Sequence, residues 1–325
     1  MRQINANFAN KLERFSDNVA LISAQGNVIT YQSLIVMVDA FSARLTIDGK
    51  QLLLLAANNS LQSIVAYLAA LRCGIPVILT PHNKPETLNN IDATFQPTIL
   101  YEPEKDPLAI KYYAKRATNQ SFFSNHLAVL LSTSGTTGSA KLVKLSATNI
   151  DANAASIVEY LQLSKFERAM TSLPMYYSYG LSVINSHLSI GASLVITKDS
   201  VIDESFWTSF TTHQCTSFAG VPYSYELLKR AHFENRHLPS LKYMTQAGGK
   251  LPQQLVEYYA LLSRTRGWRF YVMYGQTEAT ARMAYLPLDK LASHPNSIGI
   301  AIPGGRFELI DEKGQLITNQ KILKE

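Results

Sequence analysis

The 325-residue sequence predicts an α/β fold in which mostly parallel sheets are flanked by helices. Three observations support this class. Short apolar runs that suit buried strands alternate with longer segments whose apolar residues recur at helical spacing. Glycines close several of the helical segments, as at Gly74 and Gly191. The composition, 46% hydrophobic and 17% charged, is that of a folded globular chain.

The first predicted unit spans about residues 1–125. Its predicted elements, in order, are a hairpin at 19–30, a helix from 33 to about 45, a buried strand at 51–57, a helix at 61–73 and a strand at 76–80. The hairpin is predicted because β-branched residues flank a turn at Gln25-Gly26-Asn27. Ser60 is a candidate cap for the second helix, and Gly74 ends it.

The second predicted unit spans about residues 126–280 and repeats the alternation. Two strands, 126–131 and 141–146, precede a helix that begins at Asn149, for which Thr148 is a candidate cap. Strands and helices then alternate at 168–174, 181–191, 193–197, 203–213, 215–220, 241–249, 251–267 and 268–275. Residues 281–325 resemble short strands joined by turns.

Charge and cysteine usage exclude several classes of protein. The formal net charge is +6, but the basic residues are dispersed, which argues against a nucleic-acid interface. Cys73 and Cys215 have no metal-like spacing and predict free thiols in a reducing compartment. The N-terminus lacks a signal-peptide core, and the apolar region 61–79 is too interrupted to cross a membrane. These observations predict a cytoplasmic protein.

The segment STSGTTGSAK (132–141) lies between two predicted strands and has the composition of a phosphate-binding loop. Gly135 and Gly138 permit backbone conformations that bring successive amides together as an anion-binding nest, and Lys141 adds a positive charge. Hydroxyl donors are supplied by Thr133, Ser134, Thr136 and Thr137. The segment is not a Walker A loop, because Ser139 and Ala140 separate Gly138 from the lysine and a strand follows.

This loop resembles the signature of the adenylate-forming superfamily, which includes acyl-CoA synthetases, aryl-acid ligases, luciferases and peptide-synthetase adenylation domains. Leu142 departs from the signature, which usually has Gly at that position. Further segments resemble family motifs in the family's order: YLAALRCGIPVILT (67–80), LPMYYSYGL (173–181), QAGGKLP (246–252), MYGQTEAT (273–280) and SIGIAIPGG (297–305). The resemblance covers nearly the whole chain.

The resemblance implies that a carboxylate is joined to the α-phosphate of ATP with release of pyrophosphate. Residues 133–141 would hold the β- and γ-phosphates, and Lys141, Thr277 and Glu278 would be catalytic. Thr277 would bond the α-phosphate, and Glu278 would bind Mg²⁺, which prefers oxygen ligands. The adenine site would be formed by Gly248, Gly249, Lys250, Tyr274 and Gly275, with Tyr274 stacked on the base.

The acyl pocket is expected to be lined by Tyr177, Tyr179, Val221, Gly248 and Met273. Amino-acid-activating relatives usually carry an Asp in the segment that corresponds to 173–181, and this sequence has no acidic residue there. An unpaired buried ammonium would be costly. The substrate is therefore predicted to be an aryl, short acyl or fatty acid without a free α-amine. The acceptor would be coenzyme A, a phosphopantetheine carrier or an amine.

The resemblance also implies two stacked βαβ-type subdomains and a truncated C-terminal β subdomain (281–325), without the mobile C-terminal lid. Adenylation by a chain without the lid is expected to be low or partial. An alternative is a non-catalytic remnant that binds nucleotide or acyl-adenylate, or one half of a split ligase with a separate lid.

Overall fold

The computed structural model describes residues 7–45, 51–113, 124, 126–132 and 141–317, and these form two mixed sheets flanked by helices. The smaller sheet has six strands. In spatial order they are β6 (Ile110–Tyr112), β5 (Ile99–Tyr101), β3 (Leu53–Ala57), β4 (Val77–Pro81), β7 (Leu127–Ser132) and β8 (Leu142–Ser146). The four central strands are parallel, and β6 and β8 pair antiparallel at the edges.

The larger sheet has nine strands in the described residues. In spatial order they are β15 (Ile300–Ala301), β14 (Ala284–Tyr285), β13 (Arg269–Tyr274), β12 (Tyr243–Gln246), β11 (Ser217–Gly220), β9 (Arg168–Met170), β10 (Ser193–Ile196), β1 (Val19–Ser23) and β2 (Val28–Thr30). The run from β13 to β1 is parallel, and the strands at both ends are antiparallel. The predicted α/β class with mostly parallel sheets is confirmed.

Helices cover both faces of each sheet. They are α1 (Tyr31–Leu45), α2 (Leu61–Cys73), α3 (Pro85–Phe95), α4 (Ala147–Leu161), α5 (Ser178–Leu188), α6 (Glu204–Thr212), α7 (Pro222–Arg230) and α8 (Gln253–Arg266). The largest apolar core joins residues of both sheets with α1, α2, α4 and α5. A second core packs α6, α7 and α8 on the larger sheet, and a third packs α3 on the smaller one.

Local signals in the sequence fix the ends of α2. The Ser60 side chain accepts a hydrogen bond from the backbone N–H of Ser63, which satisfies one of the free donors of the first turn. Gly74 adopts the left-handed conformation at the C-terminal end, with φ of 63°. Both predictions for this helix are confirmed.

The N-cap of α4 differs from the prediction. Ser146, not Thr148, is the cap, because the helix begins two residues earlier than its apolar pattern indicates. The Ser146 side chain accepts from the Asn149 N–H, and the Asn149 side chain accepts in return from the Ser146 N–H. The two hydrogen bonds form a reciprocal capping box.

Sheet membership crosses the predicted limit at residue 125. The hairpin β1–β2 belongs to the larger sheet, where Leu21 is paired in register with Leu194. Strands β7 and β8, which follow residue 125, belong to the smaller sheet. The sheets therefore do not mark the limit between the first two units, and the subdomain limits stay a prediction. Across the described ranges, no helix is both long and apolar enough to cross a bilayer.

Candidate active site

The segment predicted to bind phosphate connects two neighbouring antiparallel strands. Residues 133–138, the glycines and hydroxyls of that prediction, lie outside the described residues. The flanking strands are described: Ser132, the last residue of β7, is paired with Leu142, the first of β8. Lys141 lies directly before β8 and is exposed.

Strand β8, which follows this connection, contacts the Thr-Glu motif. It packs against a one-turn 3-10 helix, Thr277–Ala279, which follows β13. In this turn Thr277 is buried and the Glu278 side chain is exposed. The three residues predicted to be catalytic, Lys141, Thr277 and Glu278, therefore lie on two segments that touch each other.

A hydrogen bond joins the Thr-Glu turn to the segment predicted to border the acyl pocket. The hydroxyl oxygens of Thr277 and Ser178 are 3.1 Å apart, and both side chains are buried. Ser178 is the first residue of α5, and Tyr177 immediately precedes it. The predicted nucleotide and acyl regions are thus in direct contact.

Gly248 lies where the adenine segment meets the acyl segment. Its φ is +84°, and a Cβ at this position would lie 2.4 Å from the Tyr177 Oη and 3.2 Å from the Val221 Cγ1. Tyr177 and Val221 are half-buried, and burial raises the pKa of the Tyr177 hydroxyl. The structure brings together these three predicted pocket residues, and Gly249 and Lys250 continue from them along the surface.

Tyr274 is the last residue of β13, and Gly275 follows it directly. The Tyr274 side chain is 41% exposed, so its ring is accessible to a ligand. A Cβ at Gly275 would lie 1.7 Å from the carbonyl oxygen of Ala281, a distance that no side chain can accommodate. Glycine at this position therefore lets the chain turn closely between β13 and residue 281.

Tyr179 and Met273 are buried, whereas the wall of an open pocket would be partly exposed. The Tyr179 hydroxyl donates to the Thr245 Oγ1 at 2.7 Å. The Tyr179 ring makes an edge contact with the Tyr177 ring, with centroids 6.3 Å apart. Tyr179 therefore lies against Tyr177, and we call the buried pair Tyr179 and Met273 the floor of the predicted pocket.

Arg282 belongs to the same floor, and sequence reasoning missed it. Its side chain is 3% exposed, and its guanidinium carbon lies 5.0 Å from the centre of the Tyr179 ring. The Nε donates to the Ser182 Oγ at 3.1 Å, and the Nη1 donates to the Tyr160 Oη at 3.1 Å. The only signal in the sequence was its place four residues after Glu278. That place alone does not separate a surface arginine from a buried one.

Burial favours the neutral forms of a tyrosine and a histidine around this floor. Burial raises the pKa of the Tyr179 hydroxyl, although the positive charge of Arg282 acts in the opposite direction. Burial also lowers the pKa of His187 to about 4. The His187 Nδ1 lies 2.8 Å from the Val183 carbonyl oxygen, and its Nε2 lies 3.1 Å from the Tyr243 Oη. A neutral imidazole can satisfy both contacts by donating to the carbonyl and accepting from the hydroxyl.

The described residues contain no group of three or more His, Cys, Asp or Glu that could hold a metal ion. Glu278 presents a single exposed carboxylate on the turn that packs against β8. One carboxylate with phosphate oxygens from a nucleotide is the ligand set that Mg²⁺ commonly uses, since this ion keeps several waters. The residues present fit a metal that arrives with the nucleotide.

Two curated relatives resemble much of the chain. The oxalate–CoA ligase of Arabidopsis thaliana is 25% identical over 194 residues, which cover 58% of this chain and 37% of that protein. The 2-succinylbenzoate–CoA ligase of Haemophilus influenzae is 24% identical over 312 residues, which cover 92% of this chain and 63% of that protein. The chain thus spans less than two thirds of the length of either relative.

Solved structures show the same fold. The N-terminal domain of FACL13 from Mycobacterium tuberculosis superposes with a TM-score of 0.80 at 14% identity, covering 96% of this chain and 86% of that one. The o-succinylbenzoate CoA synthetase of Bacillus subtilis, solved with its acyl-adenylate intermediate, gives a TM-score of 0.76 at 20% identity. That alignment covers 96% of this chain and 66% of the other.

The profile of the family described as AMP-binding enzyme matches residues 8–321. The match includes every segment that forms the candidate site. Because it spans nearly the whole sequence, the chain belongs to the AMP-binding enzyme family.

Proposed function

We propose that this chain is the adenylating part of an AMP-forming carboxylic acid ligase. The observation that carries the proposal is the hydrogen bond between Thr277 and Ser178. It fixes the turn with the expected α-phosphate contact against the helix whose N-terminal end borders the acyl region. A carboxylate and a phosphate must come together in this reaction, and the segments predicted to bind them are in contact.

The proposed reaction brings two anions together, so positive charge and hydrogen-bond donors are needed around the phosphates. Lys141 would supply a charge at the end of the phosphate loop, and the Thr277 hydroxyl would donate to the α-phosphate. Glu278 would hold Mg²⁺, which would neutralise phosphate charge as pyrophosphate leaves. The exposed Tyr274 ring would stack on adenine beside Gly248 and Lys250.

The proposed substrate is a carboxylic acid without a free α-amine. The 173–181 segment carries no acid, and the buried cation Arg282 lies against Tyr179 of that segment, whereas the buried Glu167 is paired with Lys242. A substrate ammonium would meet a like charge there. The relatives are named for oxalate and for 2-succinylbenzoate, which are acids without an amine, and as CoA ligases. We therefore propose coenzyme A as the acceptor ahead of a carrier protein.

Carboxylate-dependent exchange of pyrophosphate into ATP tests this function. The assay would use the 325-residue chain with aryl, short-chain, dicarboxylic, long-chain and amino acids. We expect exchange with one class of acid, reduced on the order of 100- to 1,000-fold by Lys141→Ala and by Glu278→Ala. Lys144→Ala, on β8, and Glu257→Ala, on α8, are matched controls that should keep the wild-type rate.

Two results would contradict the proposal. Selective exchange with an amino acid would exclude the proposed substrate class. Absence of exchange with every acid, in a chain that still binds ATP, would favour a binding protein that does not turn over.

A further inference from the structure

Arg282 is a buried cation without a carboxylate partner among the residues that the structure describes. All of its described partners are neutral: the Ser182 and Tyr160 hydroxyls, the Met273 sulfur at 3.6 Å and the face of the Tyr179 ring. Glu167, a buried acid directly before β9, is paired with Lys242 at 3.0 Å instead. The positive charge of Arg282 is therefore not balanced by the described protein.

Burying an unpaired cation costs free energy. An arginine keeps its proton at any physiological pH, so burial cannot neutralise it. Hydroxyls and an aromatic face offset part of the desolvation cost, but a buried charge is normally paired with an opposite charge. A guanidinium also presents five donors, and its fork matches the two oxygens of a carboxylate.

The place of Arg282 in the fold indicates where the missing anion would come from. Two of its contacts, Tyr179 and Met273, are residues predicted to line the acyl pocket. Helix α5 connects this cation to the proposed reaction centre, because Ser178 is hydrogen-bonded to Thr277 and Ser182 is hydrogen-bonded to Arg282. The two serines are one helical turn apart, about 6 Å along the axis.

We propose that Arg282 binds a second carboxylate of the substrate, so that the acid activated by this chain is a short dicarboxylic acid. The inference rests on the proposed ligase function and names its substrate class. One carboxylate would meet the α-phosphate beside Thr277, and the other would pair with the guanidinium. The spacing of the two serines is the guide to substrate length, and it points to acids of four or five carbons, with two or three methylene groups between the carboxylates.

Two cavities border Arg282. The one beside Thr245 and Tyr243 has a volume of about 10 Å³, and the one beside Thr280 and Met283 has a volume of about 320 Å³. The small cavity is about the size that holds one water molecule, so the floor side chains must move to admit a carboxylate there, and a long acyl chain or an aromatic ring would require a larger movement. The Thr245 and Tyr243 hydroxyls add hydrogen-bonding partners for a carboxylate.

Direct binding tests the inference without depending on turnover. Titration calorimetry would compare succinate and glutarate with butyrate and valerate, the acids of equal length that lack the second carboxylate. We expect the dicarboxylic acids to bind the wild-type chain on the order of 100-fold more tightly or better, because the monocarboxylic acids leave the guanidinium unpaired. Equal affinity for both sets, or no binding of either dicarboxylic acid, would overturn the inference.

Substitutions of Arg282 test whether this residue causes the preference for dicarboxylic acids. Arg282→Met removes the charge at similar length and should abolish the preference for succinate while retaining or improving butyrate binding. Arg282→Lys keeps the charge without the fork and should recover part of the preference. Arg306→Met, an exposed arginine of the same C-terminal segment, is the matched control. A folded Arg282→Met chain that binds succinate like the wild type would also overturn the inference.

Thermal melting shows which variants fold. If Arg282→Met does not fold, the selectivity of the wild-type chain for dicarboxylic acids decides the question alone.

The exchange assay separates this inference from the proposed ligase function. Exchange with monocarboxylic acids only would leave the ligase intact and remove the dicarboxylic class. Selective binding of succinate without exchange with any acid would support the dicarboxylic class and contradict the ligase function. Where exchange occurs, Arg282→Lys should raise the KM for succinate far more than it lowers kcat.

Discussion

The Gly248 position is constrained by backbone conformation and by a neighbouring side chain at the same time. Its φ of +84° disfavours any residue with a Cβ, and a Cβ there would come within 2.4 Å of the Tyr177 Oη. Gly267, at the end of α8, has a similar φ of +80°, but a Cβ there would have no neighbouring atom within 4 Å. The two glycines therefore allow backbone strain to be separated from a clash at the site.

We expect Gly248→Ala to impair the site as well as the fold. Both Gly248→Ala and Gly267→Ala should lose about 1 to 2 kcal/mol of unfolding free energy from left-handed strain. Only Gly248→Ala should raise the KM for the acid, by roughly 10-fold for about 1.4 kcal/mol of lost binding, because the methyl group displaces the Tyr177 ring. Urea unfolding and exchange kinetics measure the two effects.

A second substitution tests the cause. Adding Tyr177→Phe to Gly248→Ala removes the hydroxyl that the new methyl group meets, and the next contact is the Val221 Cγ1 at 3.2 Å. The double variant should regain much of the affinity for the acid. If the KM stays as high as in Gly248→Ala, the Tyr177 hydroxyl is not the reason for glycine at this position.

At the scale of elements, the start of α4 shows how a correct helix prediction can choose the wrong cap. The apolar pattern indicates a helix from Asn149, and Thr148 is a permitted cap residue directly before it. The structure extends the helix to Ala147 and uses Ser146, whose N–H and side chain both bond Asn149. The length of β8, which ends at Ser146, decides between the two hydroxyls, and local sequence does not contain that information.

We expect Ser146→Ala to destabilise the chain by about 1 kcal/mol, the usual cost of losing a side-chain cap. Thr148→Ala should leave the unfolding free energy nearly unchanged, since Thr148 is exposed inside the first turn. Urea unfolding of the two variants makes the comparison. Equal losses, or a larger loss for Thr148→Ala, would contradict the assignment of the cap.

At the scale of the whole molecule, the order of strands and helices was predictable and their assembly was not. Periodicity and glycine positions identify most elements, because those signals lie within each segment. The pairing of Leu21 with Leu194 joins segments far apart in sequence, and no local pattern specifies it. For the same reason the burial of Arg282 could not be predicted from the sequence, because it depends on contacts with Tyr160 and Ser182.

Asn59 connects the two sheets, because its side chain links segments that follow strands of different sheets. It lies after β3 of the smaller sheet, and its amide nitrogen donates to the carbonyl oxygens of Thr171 at 2.8 Å and Leu173 at 3.0 Å. Its carbonyl oxygen accepts from the Met175 N–H at 3.0 Å. One side chain therefore holds the segment that leads from β9 to α5 and the acyl region.

We expect Asn59→Ala to weaken both the fold and substrate binding. Three hydrogen bonds at about 1 kcal/mol each predict a loss of about 2 to 3 kcal/mol in unfolding free energy. The KM for the acid should rise several-fold and the KM for ATP by less, because Asn59 bonds the first part of the acyl segment, whereas the contact with the Thr-Glu turn is made farther along by Ser178. Asn296→Ala, which removes one exposed hydrogen bond to Gln253, is the matched control and should change neither. If Asn59→Ala unfolds like the wild type, or raises both KM values equally, the segment is held by its own packing and Asn59 does not couple the two sheets to the acyl region.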